Sequence, residues 1–207
     1  MTENLLLDTI FFMYENLYEN ITKSLVNDGF AVIENALNAA LCHELRSLAQ
    51  GVAFRRAGVS SAARVDTKRR SDTIAWIDAD TEPTKAYLEF AQGLQRYLNR
   101  NLYLGLTYYE AHFACYEKGA FYEKHLDAFK NSKNRVVTTV YYLNEGYKEE
   151  DGGTLVIYDK SEKEICRVTP AANTLVVFMS EEFPHEVLPA NAARYSIAGW
   201  FRVDKRD

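Results

Sequence analysis

Cations are outnumbered, cysteine is nearly absent, and no run of residues is long and apolar enough to cross a bilayer. Each shortage removes a class of protein. With 24 Lys and Arg against 29 Asp and Glu, the chain has a formal charge of -5 and a pI near 5.5. It therefore lacks the surplus of positive charge that displaces phosphate counterions along a nucleic acid, and only a local basic patch survives that objection. The 3 cysteines, Cys42, Cys115 and Cys166, are an odd number without metal-type or disulfide-type pairing, which suits buried small residues in a reducing compartment. The first twelve residues carry acids and no basic n-region, and nothing approaches the roughly 20 apolar residues of a membrane span. A cytoplasmic, monomeric protein with no membrane or nucleic-acid partner is the expectation.

What is present divides into a helical first half and a strand-rich second half. Leu5, Ile10, Met13, Leu17, Ile21 and Leu25 recur at the spacing of an amphipathic helix. Phe30 to Ile33 reads as a short strand after Asp28-Gly29, and a second helix starts at Asn38, with Leu41, Leu45 and Leu48 on one face. His43, alone on that helix, is read as structural. Between Gly51 and Asp72, Arg55, Arg56, Arg64, Lys68, Arg69 and Arg70 are interspersed with small residues, a long basic loop of the kind that serves as a solvated connection or as a lid. A strand over Thr73 to Ile77 and a helix from Pro83 to Asn101 follow. From Thr107 onward, strand candidates over 107–116, 135–143, 154–158, 165–168, 174–178 and 195–203 are separated by turns. Such a series predicts a sandwich or barrel enclosing a pocket.

His125-Leu126-Asp127, His185 and Arg194 stand out in that second half. On an extended segment, residues two apart point to the same face, so His125 and Asp127 can reach one ion. With His185 they form the two-imidazole, one-carboxylate set that suits a non-haem Fe(II) with open positions. Taken singly, the tripeptide also fits a surface turn, and His185 a hydrogen-bonded core histidine. Arg194 heads a strand; pointing inward, it requires an anionic partner such as a dicarboxylate, whereas at a sheet edge it requires none.

Four stretches extend the pattern: Ala114-Cys115-Tyr116 with Tyr122 ahead of His125; Arg135 through Tyr141-Tyr142-Leu143-Asn144; Gly152-Gly153-Thr154-Leu155; and Pro184-His185-Glu186-Val187 to Arg194-Tyr195. Over about residues 50 to 203 the chain resembles the prolyl 4-hydroxylase-type 2-oxoglutarate- and Fe(II)-dependent dioxygenases. Within them it more closely resembles the hypoxia-inducible-factor prolyl hydroxylases and their bacterial relatives. Arg70-Ser71-Asp72 and Trp76-Ile77 resemble the finger loop and strand that cover the peptide in that subfamily.

The resemblance implies an α+β fold with a mainly β core. That core is a double-stranded β-helix (jelly roll, cupin-like) over residues 105–207, supported by N-terminal helices, first strands and a finger loop (about 51–77) within residues 1–104. It implies Fe(II) on His125, Asp127 and His185, with 2-oxoglutarate and O2 as cosubstrates and ascorbate as an accessory reductant. Arg194 and Tyr142 would hold the far carboxylate of 2-oxoglutarate, Tyr116 would approach its metal-proximal end, and Leu155 would line the same pocket. Tyr122, Arg135, Arg70, Asp72, Trp76 and Trp200 would contact the substrate. The implied reaction is hydroxylation of a prolyl C4 in a protein, coupled to conversion of 2-oxoglutarate to succinate and CO2, with a translation elongation factor as the partner suggested by family analogy. Ala198 departs from the threonine of the animal oxygen-sensing enzymes. An oxygenase of a free amino acid or small metabolite, and a non-catalytic 2-oxoglutarate or metal sensor, are the rival readings.

Overall fold

The computed structural model describes residues 12–57, 69–127 and 134–203; Leu5, Ile10, Arg64 and Lys68 of the sequence reading lie outside them. Among the described residues, three α-helices form where apolar periodicity and end signals coincide. Helix α1 (Glu15–Asn27) buries Tyr18, Ile21, Thr22 and Leu25; of the stripe expected from the sequence, Ile21 and Leu25 are buried, Leu17 is half-buried and Met13 is exposed ahead of the helix. Helix α2 (Ala39–Gly51) begins at Asn38, whose side chain accepts from the Ala40 N–H at 2.8 Å. Helix α3 (Glu82–Leu102) is capped reciprocally by Thr81 and Thr84, has Pro83 in its first turn, and buries Tyr87, Phe90, Ala91, Leu94 and Leu98.

The strands are β1 (Phe30–Ile33), β2 (Arg55–Arg56), β3 (Thr73–Trp76), β4 (Tyr108–Tyr116), β5 (Tyr122–His125), β6 (Arg135–Tyr142), β7 (Leu155–Tyr158), β8 (Glu164–Val168), β9 (Leu175–Met179), β10 (His185–Val187) and β11 (Arg194–Arg202). They build a large sheet in the order β1-β9-β6-β11-β4-β3-β2 and a small one in the order β5-β10-β7-β8. The first part of the chain thus contributes β1, β2 and β3 to the same sheet as the C-terminal strands. Within the stretch read from the sequence as a basic loop, Arg55 and Arg56 form the two-residue strand β2, which pairs with β3, and residues 58–68 lie outside the described residues.

Alternation along each strand sorts side chains to opposite faces. On the outer face of the large sheet, Val137, Tyr141, Phe113, Ile197 and Phe201 pack against the helices. On its inner face, Ala114, Tyr116, Tyr142, Val176 and Phe178 meet Leu155, Ile157 and Val187 of the small sheet. His112, Thr138, Arg194, Ser196 and Trp200 share the inner parity. This arrangement is a double-stranded β-helix, and its interior holds the polar residues. The strand series read from the sequence omitted β5 and β10. They are 4 and 3 residues long, and β5 lacks the apolar run that marks the equally short β1 and β7, yet they carry the two histidines.

Candidate active site

Pairing of β10 with β5 sets His185 directly opposite His125, and the chain leaving β5 brings Asp127 between them. The His125 Nε2 lies 3.6 Å from Asp127 Oδ1, and the His185 Nε2 lies 3.6 Å from Asp127 Oδ2. An ion roughly 2.1 Å from each ligand atom can bridge atoms up to about 4.2 Å apart, so both separations suit one divalent cation. Each ring is oriented from behind: His125 Nδ1 is 2.8 Å from the Glu123 carbonyl and His185 Nδ1 is 3.0 Å from that of Phe183. A carbonyl only accepts, so each Nδ1 carries the proton and each Nε2 presents its lone pair. Among the described residues this is the cluster able to hold a metal.

Asp127 is tied to the large sheet. Thr138 on β6 donates to its Oδ2 at 2.9 Å, and Ser180, just beyond β9, lies 2.8 Å from the Thr138 hydroxyl. Burial pushes the Asp127 carboxyl up, but His185, His125 and Arg135 together hold it well below the usual carboxylate range. Carboxylate partners of this kind typically account for about 10–100-fold in metal affinity. Thr138→Val, which keeps the shape and removes the donor, is therefore expected to weaken Fe(II) or Mn(II) binding by about that factor, measured by anaerobic titration. Unchanged affinity would show that the hydroxyl does not orient the ligand.

Arg194 is 1% exposed, and both its Nε and Nη1 lack a hydrogen-bond partner; the buried Tyr142 hydroxyl lacks one too. The guanidinium lies 4.2 Å from the Tyr116 ring centroid and 5.4 Å from that of Tyr142. Burial, opposed by Arg194, pushes the Tyr142 hydroxyl up to about 12, so it remains a donor. Gly153 closes in from the small sheet: its φ is +61°, and a Cβ there would stand 2.9 Å from Arg194 Cδ. A cation and a hydroxyl buried together without an acceptor fit an anionic group, and a carboxylate satisfies both. Leu155 packs in the same interior cluster as Tyr116 and Tyr142.

Tyr122 stacks on His125 with ring centroids 3.6 Å apart, and the Arg70 guanidinium lies 4.2 Å from the Tyr122 centroid. Arg70 grips Asp72 through Nε and Nη2 at 2.7 and 2.6 Å. Arg135 stacks 3.7 Å above Trp200, and Glu110 joins Arg135 and Arg202 at 3.4 and 2.8 Å. Trp76 is 41% exposed on β3.

Sequence reasoning missed His112, Thr138, Ser180, Glu110 and Arg202. Strand alternation would have placed His112 on the inner face had β4 been phased from Tyr116. His43, read as structural, is exposed and 2.9 Å from Glu145.

Two buried histidines are held neutral. Burial, then the His125 ring, lowers His185 to about 4 against the opposing charge of Asp127; burial, then Arg70, lowers His112 to about 4 as well. Unfolded histidines titrate near about 6.5, so between that value and about 4 the unfolded chain binds more protons. Stability is complete above about pH 6.5 and is lost as pH falls toward 4, on the order of 3 kcal/mol for His112. Denaturant unfolding of metal-free protein across this window should show the loss, and His112→Gln should flatten it. An equal slope in the variant would exclude His112 as a source.

The fold and this site define a 2-oxoglutarate- and Fe(II)-dependent oxygenase, and residues 111–202 match the 2OG-Fe(II) oxygenase superfamily. The chain is 31% identical over 205 residues to the human protein "Prolyl hydroxylase EGLN3", covering 88% of this chain and 82% of that one. Among solved structures it is similar to a Pseudomonas putida prolyl-4-hydroxylase (TM-score 0.83, 38% identity, 90% of this chain and 99% of that one). It is also similar to a Trichoplax adhaerens prolyl hydroxylase in complex with a hypoxia inducible factor oxygen degradation domain peptide fragment (TM-score 0.78, 29% identity, 92% and 90%). The chain belongs to the prolyl hydroxylase family of these oxygenases. Among the described residues, no helix is long and apolar enough to cross a membrane.

Proposed function

We propose that this protein hydroxylates C4 of a prolyl residue in a protein substrate, using O2 and converting 2-oxoglutarate to succinate and CO2. The observation that carries the reading is the juxtaposition of the His125, Asp127 and His185 cluster with the buried, acceptor-less pair Arg194 and Tyr142. Fe(II) held by the first set would supply the redox chemistry of O2 activation. Arg194 and Tyr142 receive the distal carboxylate of 2-oxoglutarate, Tyr116 flanks the path from that carboxylate to the metal, and Leu155 closes the pocket against water.

Substrate would be held by the wall that Tyr122, Arg70, Asp72, Trp76, Arg135 and Trp200 form. The Arg70–Asp72 pair keeps a guanidinium close to Tyr122 without leaving a buried charge uncompensated. Arg135 and Trp200 offer a flat cationic and aromatic surface suited to a peptide backbone and a prolyl ring. Residues 1–104 act as a support for the core at 105–207. A translation elongation factor as substrate, ascorbate as accessory reductant, a cytoplasmic setting and a monomeric state complete the reading.

The test is mass spectrometry of a randomised, proline-centred peptide library incubated with the Fe(II) protein. Gain of one oxygen on proline, dependent on 2-oxoglutarate, supports the reading; oxygen gain confined to free amino acids or small metabolites replaces it.

A further inference from the structure

His112 sits at the centre of the residues assigned to the substrate wall, yet it has no role in holding metal or 2-oxoglutarate. It is 4% exposed and occupies the inner face of β4, in register with Trp76 on one side and Ala198 on the other. Its ring lies 5.3 Å from that of Trp76, edge to face, and 5.4 Å from that of Trp200. Nδ1 is 3.2 Å from the Phe113 carbonyl, so Nδ1 carries the proton of the neutral ring and Nε2 is an acceptor. Nε2 makes no hydrogen bond among the described residues.

The neighbouring groups make that acceptor distinctive. Asp72 is engaged by Arg70, and Glu110 by Arg135 and Arg202, so both nearby carboxylates are committed to cations. Arg70 and Arg135 oppose protonation of the ring, which burial already disfavours. Beside it the Trp200 Nε1 is buried without a partner. One acceptor and one donor therefore stand uncommitted, side by side, in a wall otherwise made of aromatic faces and paired charges. A peptide backbone passing the wall supplies the complementary N–H and C=O.

We propose that His112 is a specificity-determining residue whose Nε2 accepts a hydrogen bond from a backbone N–H of the substrate next to the target proline. Proline has no N–H of its own, so the donor belongs to a flanking residue. The proposal rests on the peptidyl-prolyl reading above.

Trp76 and Trp200 are the only 2 tryptophans of the chain, so intrinsic fluorescence reports directly on this wall. The probe is a proline-centred heptapeptide chosen from the library by its oxygen gain, titrated in the presence of Zn(II) and 2-oxoglutarate so that no turnover occurs. His112→Leu is expected to weaken binding about ten-fold and His112→Gln to restore part of it, the loss typical of one hydrogen bond to a buried acceptor. N-methylation of the peptide, scanned along the residues flanking proline, should weaken wild-type binding at one position and have no further effect there in His112→Leu. Retention of the anaerobic Fe(II)/2-oxoglutarate absorption band verifies that each variant is folded. Equal peptide affinity for wild type and His112→Leu, or an N-methyl penalty of the same size in both, overturns the role of His112 and leaves the peptidyl-prolyl reading intact. If no proline peptide binds or gains oxygen with the wild-type protein, the peptidyl-prolyl reading itself fails and this proposal with it.

Discussion

Asp127→Ala is expected to abolish the visible charge-transfer band that Fe(II) and 2-oxoglutarate give together under anaerobic conditions, and to bring turnover below detection. Asp127 is the one anionic member of the cluster, lies 3.6 Å from both imidazole Nε2 atoms, and is ionised despite burial. Its loss leaves two neutral ligands and orphans the Thr138 hydroxyl. Outer partners such as Thr138 account for about 10–100-fold in metal affinity, so removing the ligand itself should exceed about 100-fold. Anaerobic titration followed in the visible range measures it, with circular dichroism to establish folding. A folded variant that keeps the band at wild-type Fe(II) concentrations would refute the ligand assignment.

Arg194→Met should separate cosubstrate binding from stability. The guanidinium is 1% exposed, with Nε and Nη1 unpaired, so without ligand it is a buried charge lacking compensation. Replacing buried ionic groups with apolar ones of similar volume often stabilises by about 1–4 kcal/mol, and the metal-free, cosubstrate-free variant should melt at a higher temperature than wild type. In the bound state the same residue forms a charge-assisted pair, and truncating one partner of such a pair costs about 2–5 kcal/mol. The apparent affinity for 2-oxoglutarate should therefore drop by about 30-fold to several thousand-fold, with Mn(II) affinity alone unchanged. Calorimetric titration of 2-oxoglutarate into the Mn(II) protein, paired with thermal melts of the apo forms, checks both signs. A variant that binds 2-oxoglutarate normally would mean that Arg194 faces some other anion.

Much of the site was readable from residue order. His125, Asp127, His185 and Arg194 are chemically expensive groups in the strand-rich second half of the chain, and Tyr141-Tyr142 with Gly152-Gly153 supplied the family resemblance. Long elements were readable for a different reason: α2 and α3 carry caps at Asn38 and at Thr81 with Thr84, and β4, β6 and β11 run for 9, 8 and 9 residues, long enough for period two to show. The elements that escaped were β5, β10 and β2. They have 4, 3 and 2 residues, and β5 and β2 are made of polar residues where the equally short β1 and β7 are apolar; such strands exist because their neighbours in the sheet offer hydrogen bonds.

Residue order supplied the candidate ligand set with its spacing, and the helical and extended character of the long segments, because these depend on local chemistry and local periodicity. Only the tertiary structure decided that His125 and His185 face each other across β5 and β10, that Thr138 reaches Asp127 with Ser180 behind it, and that Arg194 and Tyr142 are buried together without an acceptor. The same holds for His112 between Trp76 and Trp200. These facts depend on strand register and on the packing of two sheets, and a one-residue change of register would turn every one of those side chains to the opposite face.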